Sequence, residues 1–174
     1  MFYAQQKVGW FFDPSRLLEL AQRDPEVALD GAFWYAGLKD PNDQRGFRDA
    51  LTNLGFTVRT RPLRELSGNG RLSGDGDQRH YVRANLEVEM AIDLLAVAHR
   101  CQELWLLSGS RDLDRLVEVL RIHGVRITLI STDAMVAREL RNAADSFVEL
   151  TGLRSELEKA DARQQPVFQR GASA

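Results

Sequence analysis

Six short strand-like runs separated by stretches of helical periodicity constrain this chain more than any other feature. KVGWFF (7–12), GAFWYA (31–36), FTVRTR (56–61), ELWLL (103–107), VRITLI (125–130) and SFVEL (146–150) are each short, apolar or alternating, and rich in aromatic and β-branched residues. Between them, apolar residues recur at helical spacing: Leu17, Leu18 and Ala21; Phe47, Leu51 and Leu54; residues 85–100; Leu113, Leu116, Val117 and Leu120; residues 134–144. Strands alternating with helices predict a parallel sheet covered by helices on both faces, joined by right-handed crossovers. The expected fold class is α/β, a three-layer α/β/α sandwich around a mainly parallel central sheet of five or six strands.

Turn chemistry falls between the runs. Asp13 precedes Pro14, and proline suits the first turn of a helix. KDPND (39–43) reads as a turn, and Gly55 and Gly124 stand where helices should end. SGNGRLSGDGDQR (67–79) has no apolar periodicity and reads as a long, mobile loop. There is no internal repeat. One domain over residues 1–158 is expected, with 159–174 as a flexible tail.

Bulk properties narrow the function. A formal net charge of −2 gives no global attraction to nucleic acid, so an RNA partner needs a local basic patch. The single cysteine, Cys101, cannot form an intrachain disulfide, and it reads as a half-buried thiol rather than a nucleophile. VGWFF is too short for a signal peptide or a membrane span. These features predict a cytoplasmic protein with no membrane partner.

In a parallel α/β sheet, ligands sit beyond the carboxyl ends of the strands. Asp13, Gly37–Asp40, Ser108–Asp112 and Ser131–Asp133 therefore repay the closest reading. Asp13 suits a helix N-cap. Asp93 shares a helix face with Leu86, Met90 and Val97, with Glu89 one turn earlier. A carboxylate inside an apolar stripe must be paired or bind a cation, and Arg83, Arg100 and Arg111 are available partners. Glu87 suits the first turn of that helix. In SGSRD (108–112), Ser110 can cap the next helix, Gly109 can supply the turn, and Asp112 fits the first helical turn. These residues have ordinary structural explanations. If the first and fourth strands are neighbours, however, Asp13 faces Asp112, and the start of the Glu87 helix closes the same cleft. Converging carboxylates would repel without a divalent cation, and Mg²⁺ favours such oxygen ligands and could activate water against a phosphodiester.

RANLEVEMAIDLL (83–95), ELWLLSGSRDLDRLVEVLRIHGVRITLI (103–130) and AADSFVEL (143–150) resemble the LabA-like branch of NYN domains, which are PIN-like nuclease domains. FFDPS (11–15) and FWYAGLKDPNDQRGFRDALTNLGFTV (33–58) resemble the family's opening strand and its second strand, helix and third strand. The resemblance spans roughly residues 7–150. It implies a Rossmann-like, PIN-like fold and a Mg²⁺- or Mn²⁺-dependent ribonuclease, or a domain descended from one. It aligns Asp13 with the first catalytic acid. Glu87 falls where the family usually has Asp, and Asp93 aligns with the acid six residues later. Asp112 aligns with the second acid of a motif that usually reads S-G-D-x-D. Ser110 replaces the first acid of that motif, Arg111 adds a positive charge, and Arg16 stands where the family often has Asn. Asp13, Glu87 and Asp112 are thus the expected metal ligands, and Asp93 completes the catalytic set.

Arg59, Arg61, Arg64, Arg71, Arg79 and Arg83, with His80 and Tyr81, form a basic segment that could track single-stranded RNA. The same arginines could equally blunt a solvated sheet edge. The expected substrate contacts are Ser15, Arg16, Arg79, Arg83, Ser108, Ser110 and Arg111. Three functions compete. The first is a metal-dependent ribonuclease acting on single-stranded RNA with a partly degraded acidic site. The second is an inactive domain that regulates by binding RNA or protein, which the loss of an acid at Ser110 favours. The third is a structural module that forms a homodimer through a sheet edge or a helix surface.

Overall fold

The structure, a computed structural model, describes residues 8–40, 42, 44–65, 81–82 and 84–159. Its residues gather into two compact parts. One comprises the described residues of Met1–Ala28 and Gln102–Ala174, the other Leu29–Cys101.

In the first part, Asp13 caps helix α1 (Pro14–Ala21). In the second, strand β1 (Ala32–Leu38), helix α2 (Arg45–Asn53) and strand β2 (Phe56–Pro62) form a parallel β-α-β unit, with Ala32 opposite Phe56 and Leu38 opposite Pro62. Trp34 meets Phe47 and Phe56 edge-on, and Leu51 is fully buried. Such aromatic contacts with α2 fix the helix on the sheet. Two short strands, β3 (Arg64–Glu65) and β4 (Tyr81–Val82), pair antiparallel. Helix α3 (Glu87–Val97) completes this part.

The chain then returns to the first part with strand β5 (Glu103–Leu107). A 3₁₀ turn (Arg111–Leu113) leads into helix α4 (Asp114–Ile122), and Gly124 at φ +84° ends it. Strand β6 (Arg126–Ser131), helix α5 (Arg138–Ala143) and strand β7 (Ser146–Glu149) follow. The three strands are parallel in the order β5-β6-β7. Five of the six residues of β6 are buried, as a central parallel strand requires. Leu113, Val117, Leu120, Ile127, Leu129 and Leu140 are essentially inaccessible to solvent. Each contributes about 1.5–3 kcal/mol by burial.

The mixed α/β class and the parallel pairing agree with the sequence reading. Among the described residues the strands pair as two parallel sheets, of two and three strands, and one short antiparallel pair. The run 7–12 does not form the expected first strand over its described residues. Gly9 at φ +74° turns the backbone out of the extended region, and Phe12 makes one isolated antiparallel bridge, to Glu158. Trp10 and Phe12 are nevertheless buried, which explains the apolar pattern. A 3₁₀ turn (Leu150–Leu153) and the short helix α6 (Arg154–Leu157) follow β7, and α6 packs against α1. The Asp13 N–H donates to the Leu157 carbonyl at 2.9 Å, and the Lys159 N–H donates to the Phe11 carbonyl at 2.8 Å. The basic loop, including Arg79 and Arg83, lies outside the described residues, as does 160–174.

Candidate active site

Asp13 is held by its own helix. Its Oδ1 accepts from the Ser15 N–H at 3.0 Å and from the Ser15 hydroxyl at 2.8 Å. Ser15 thereby orients the Asp13 carboxylate. Arg16 is also engaged, donating from Nη1 to the Glu158 carbonyl at 2.8 Å. The cap reading of Asp13 therefore holds. It leaves Oδ2 without a hydrogen bond among the described residues.

The SGSRD turn sits at the carboxyl end of β5. The Ser110 N–H donates to Ser108 Oγ at 3.2 Å, and the Gly109 carbonyl accepts from the Ala137 N–H at 3.0 Å. A side chain at Gly109 would bring its Cβ to 2.3 Å from the Met135 carbonyl oxygen. Glycine here permits two loops, after β5 and after β6, to touch through their backbones. Ser110 is buried, whereas Arg111 and Asp112 are exposed. Asp112 stands in the first turn of the 3₁₀ segment. Beyond β6, Ser131 and Thr132 are buried, and Thr132 Oγ1 has no hydrogen-bond partner among the described residues. Sequence reasoning flagged this segment only by its position after a strand. A hydroxyl gives no other signal from sequence that it will be buried there.

The three α3 acids, Glu87, Glu89 and Asp93, meet different environments. Glu87 opens the helix and is half-buried. Asp93 is occupied: Arg59 donates from Nε to Oδ2 at 2.9 Å and from Nη2 to Oδ1 at 2.8 Å, and the Tyr35 hydroxyl donates to Oδ2 at 3.1 Å. The Arg59 hydrogen bonds hold the Asp93 carboxyl below its usual pKa, against the opposing effect of burial. Burial, followed by the Asp93 charge, pushes the Tyr35 hydroxyl well above its ordinary pKa. One turn earlier, Arg61 pairs with Glu89. The expected choice between a paired acid and a cation ligand thus resolves toward pairing at Asp93. The partner is Arg59 rather than Arg83, Arg100 or Arg111. Tyr35 and Arg59 are register neighbours on β1 and β2, a relation invisible before the strands are paired. Burial and the nearby Asp30 raise the Cys101 thiol, which suits an inert residue.

Among the described residues no group of three or more His, Cys, Asp or Glu side chains is gathered so as to hold a metal ion. Carboxylates such as Asp13 and Asp112 are oxygen ligands of the kind Mg²⁺ and Mn²⁺ accept. Asp93 does not suit such an ion while Arg59 covers both of its oxygens. Among the described residues, no helix is long and apolar enough to cross a membrane.

Comparison with known proteins supplies the lineage. The NYN domain model matches residues 1–151. The low amplitude and bright protein LabA of Synechococcus elongatus is 50% identical over 163 residues, covering 92% of this chain and 84% of that protein. The crystal structure of a protein of unknown function from Vibrio parahaemolyticus superposes with a TM-score of 0.64 at 23% identity, covering 86% of this chain and 85% of that one. That structure shares the fold. The chain belongs to the NYN domain family, in its LabA-like branch.

Proposed function

We propose that this chain is a cytoplasmic, RNA-directed NYN domain that hydrolyses phosphodiesters of single-stranded RNA with a divalent cation. The observation that supports this reading is that Asp13, whose Oδ1 is oriented by Ser15, and exposed Asp112 in the SGSRD turn both stand where the family resemblance expects acids. Glu87 is the third ligand implied by the family resemblance. Mg²⁺ or Mn²⁺, when bound, would polarise a phosphate and lower the pKa of water. Ser108 and Ser110 offer neutral oxygens beside the turn, and Arg111 offers a guanidinium that can take a phosphate by two hydrogen bonds. Arg79 and Arg83 extend the phosphate track in this reading.

A second reading is binding without cleavage, and the Arg59–Asp93 pair favours it. One member of the family's acid set is already neutralised by a cation from the protein itself. The deciding experiment is cleavage of a labelled single-stranded RNA in Mn²⁺ and then Mg²⁺, comparing wild type with Asp13→Asn. Asn retains the N-cap, so the variant removes charge while keeping helix α1. Cleavage lost in the variant supports the nuclease. RNA binding without cleavage by either protein supports the regulator.

A further inference from the structure

Asp13 is held in place by a segment distant in sequence. Phe12 and Glu158 form an isolated antiparallel bridge. Two backbone hydrogen bonds bracket it: the Lys159 N–H donates to the Phe11 carbonyl at 2.8 Å, and the Asp13 N–H donates to the Leu157 carbonyl at 2.9 Å. Both lengths are those of well-formed bonds. The Glu158 carbonyl accepts a third bond, from Arg16 Nη1 at 2.8 Å. Asp13 is therefore fixed twice, through its N–H by Leu157 and through Oδ1 by Ser15. The segment that does this is itself anchored. Leu157 is fully buried, and Arg154 grips the Glu158 carboxylate from Nε and Nη2, both at 2.9 Å. All of these residues lie in one compact part of the chain. Residues 154–159 fall outside the stretch that the NYN domain model matches.

We infer that residues 157–159 are a positioning strap for Asp13: they fix the backbone at the start of α1, so that the carboxylate is presented in one place to the reaction proposed above. The inference rests on that nuclease reading and deepens it. An acid on a loosely held backbone would have to be ordered at every turnover, and ordering it beforehand removes that cost. Misplacing a reacting group by about 1 Å can cost about a hundredfold in rate, even when the cause lies far from the chemistry. Arg16 belongs to the strap, because its guanidinium reaches the Glu158 carbonyl 142 residues away. Arg16, Leu157 and Lys159 are thus positioning residues that act through Asp13.

The test is cleavage of a labelled single-stranded RNA in Mn²⁺ by the full chain, with kcat and KM determined separately, together with amide exchange at Asp13. Lys159→Pro removes the N–H that donates to Phe11. Glu158, at ψ 133°, already has the extended backbone that a following proline requires. Lys159→Ala keeps the N–H and is the control. Lys159→Pro should speed exchange at Asp13 and lower kcat at least about tenfold with KM unchanged, whereas Lys159→Ala should match wild type. Arg16→Ala leaves both backbone bonds in place and should lower kcat by a smaller factor. Wild-type kcat in Lys159→Pro, where Asp13→Asn has lost cleavage, overturns the inference and leaves the nuclease reading standing. If Lys159→Pro loses its far-UV spectrum, Arg16→Ala decides in its place: wild-type kcat, or a raised KM with kcat unchanged, which would put the guanidinium on RNA, overturns the strap. If Asp13→Asn is indistinguishable from wild type, the nuclease reading has failed and the positioning role falls with it.

Discussion

Arg59 on β2 grips Asp93 on α3 with two parallel hydrogen bonds, from Nε at 2.9 Å and from Nη2 at 2.8 Å. The pair makes Asp93, which the sequence resemblance implied to be part of an acidic catalytic set, half of an ion pair. Its electrostatic consequence has a definite sign. The folded pKa of Asp93 lies below the unfolded value, which is near 4. The stabilisation is therefore complete above about pH 4 and is lost as pH falls through the folded value. Arg59→Ala should raise the Asp93 pKa, read by NMR titration of the carboxyl carbon. The stability gap between variant and wild type should be largest at neutral pH and close in strong acid. A gap that persists in strong acid would mean that Arg59 acts through packing rather than charge.

Tyr35 depends on the same carboxylate. Its hydroxyl donates to Asp93 Oδ2 at 3.1 Å. Tyr35→Phe should cost about 1 kcal/mol, the net contribution of one such hydrogen bond, measured by urea denaturation at pH 7. Burial and the Asp93 charge both hold the phenol protonated. The folded chain therefore binds more protons than the unfolded one above pH ~10, and stability should fall as pH rises beyond that value. Ultraviolet titration should resolve one tyrosine that ionises well above the ordinary range, and Tyr35→Phe should remove it.

Gly109 tests the rigidity of the turn after β5. Its Cβ would lie 2.3 Å from a backbone oxygen, which cannot rotate away as a side chain can. Gly109→Ala should destabilise the chain by about 2–3 kcal/mol, as overpacking does, read from the midpoint of urea unfolding. Ser108→Ala, which removes only an acceptor for the Ser110 N–H, should cost about 1 kcal/mol. Equal costs for the two variants would refute close packing at Gly109.

Asp145 holds the start of the central strand. Its Oδ2 accepts from the Ile127 N–H and its Oδ1 from Arg121 Nε, both at 2.8 Å. Ile127 is fully buried. Asp145→Ala leaves its N–H without an acceptor, and should cost about 1–3 kcal/mol. Asp145→Asn can still accept that bond and should cost less. Amide exchange at Ile127 should accelerate in the alanine variant while the middle of β6 stays protected.

Elements whose pattern is local were legible in the sequence, and elements made by distant contacts were not. ELWLL became β5 residue for residue, and VRITLI and SFVEL became β6 and β7 within one residue. Each run is apolar, short and closed by turn chemistry. KVGWFF misled because two aromatics are buried by tertiary contact around a left-handed glycine, which periodicity cannot distinguish from a strand. Helix α6 was missed because four residues give too little periodicity to detect. The SGSRD turn was legible from its place after a short apolar run. The partner of Asp93 was not, because Arg59 is 34 residues away and reaches it only after β1 and β2 pair.

Ser110 poses the sharpest question about the site, because it is only 7% exposed. An aspartate there must lose most of its hydration, which is costly unless a cation or hydrogen bonds replace the water. Ser110→Asp should therefore lower the unfolding temperature without metal. If the turn is a ligand shell, added Mn²⁺ should restore stability in proportion to RT ln(1 + [Mn²⁺]/Kd), since only the folded chain presents the site. The same titration on Ser110→Asn, of similar size but uncharged, should show a much smaller rise. Thermal melts across a Mn²⁺ series, with EDTA as the zero point, measure this directly. Equal shifts for wild type, Ser110→Asn and Ser110→Asp would show that the metal binds elsewhere. A Ser110→Asp chain that stays destabilised at saturating Mn²⁺ would show that Arg111 and the turn exclude the ion, which would leave RNA binding without hydrolysis as the function of this domain.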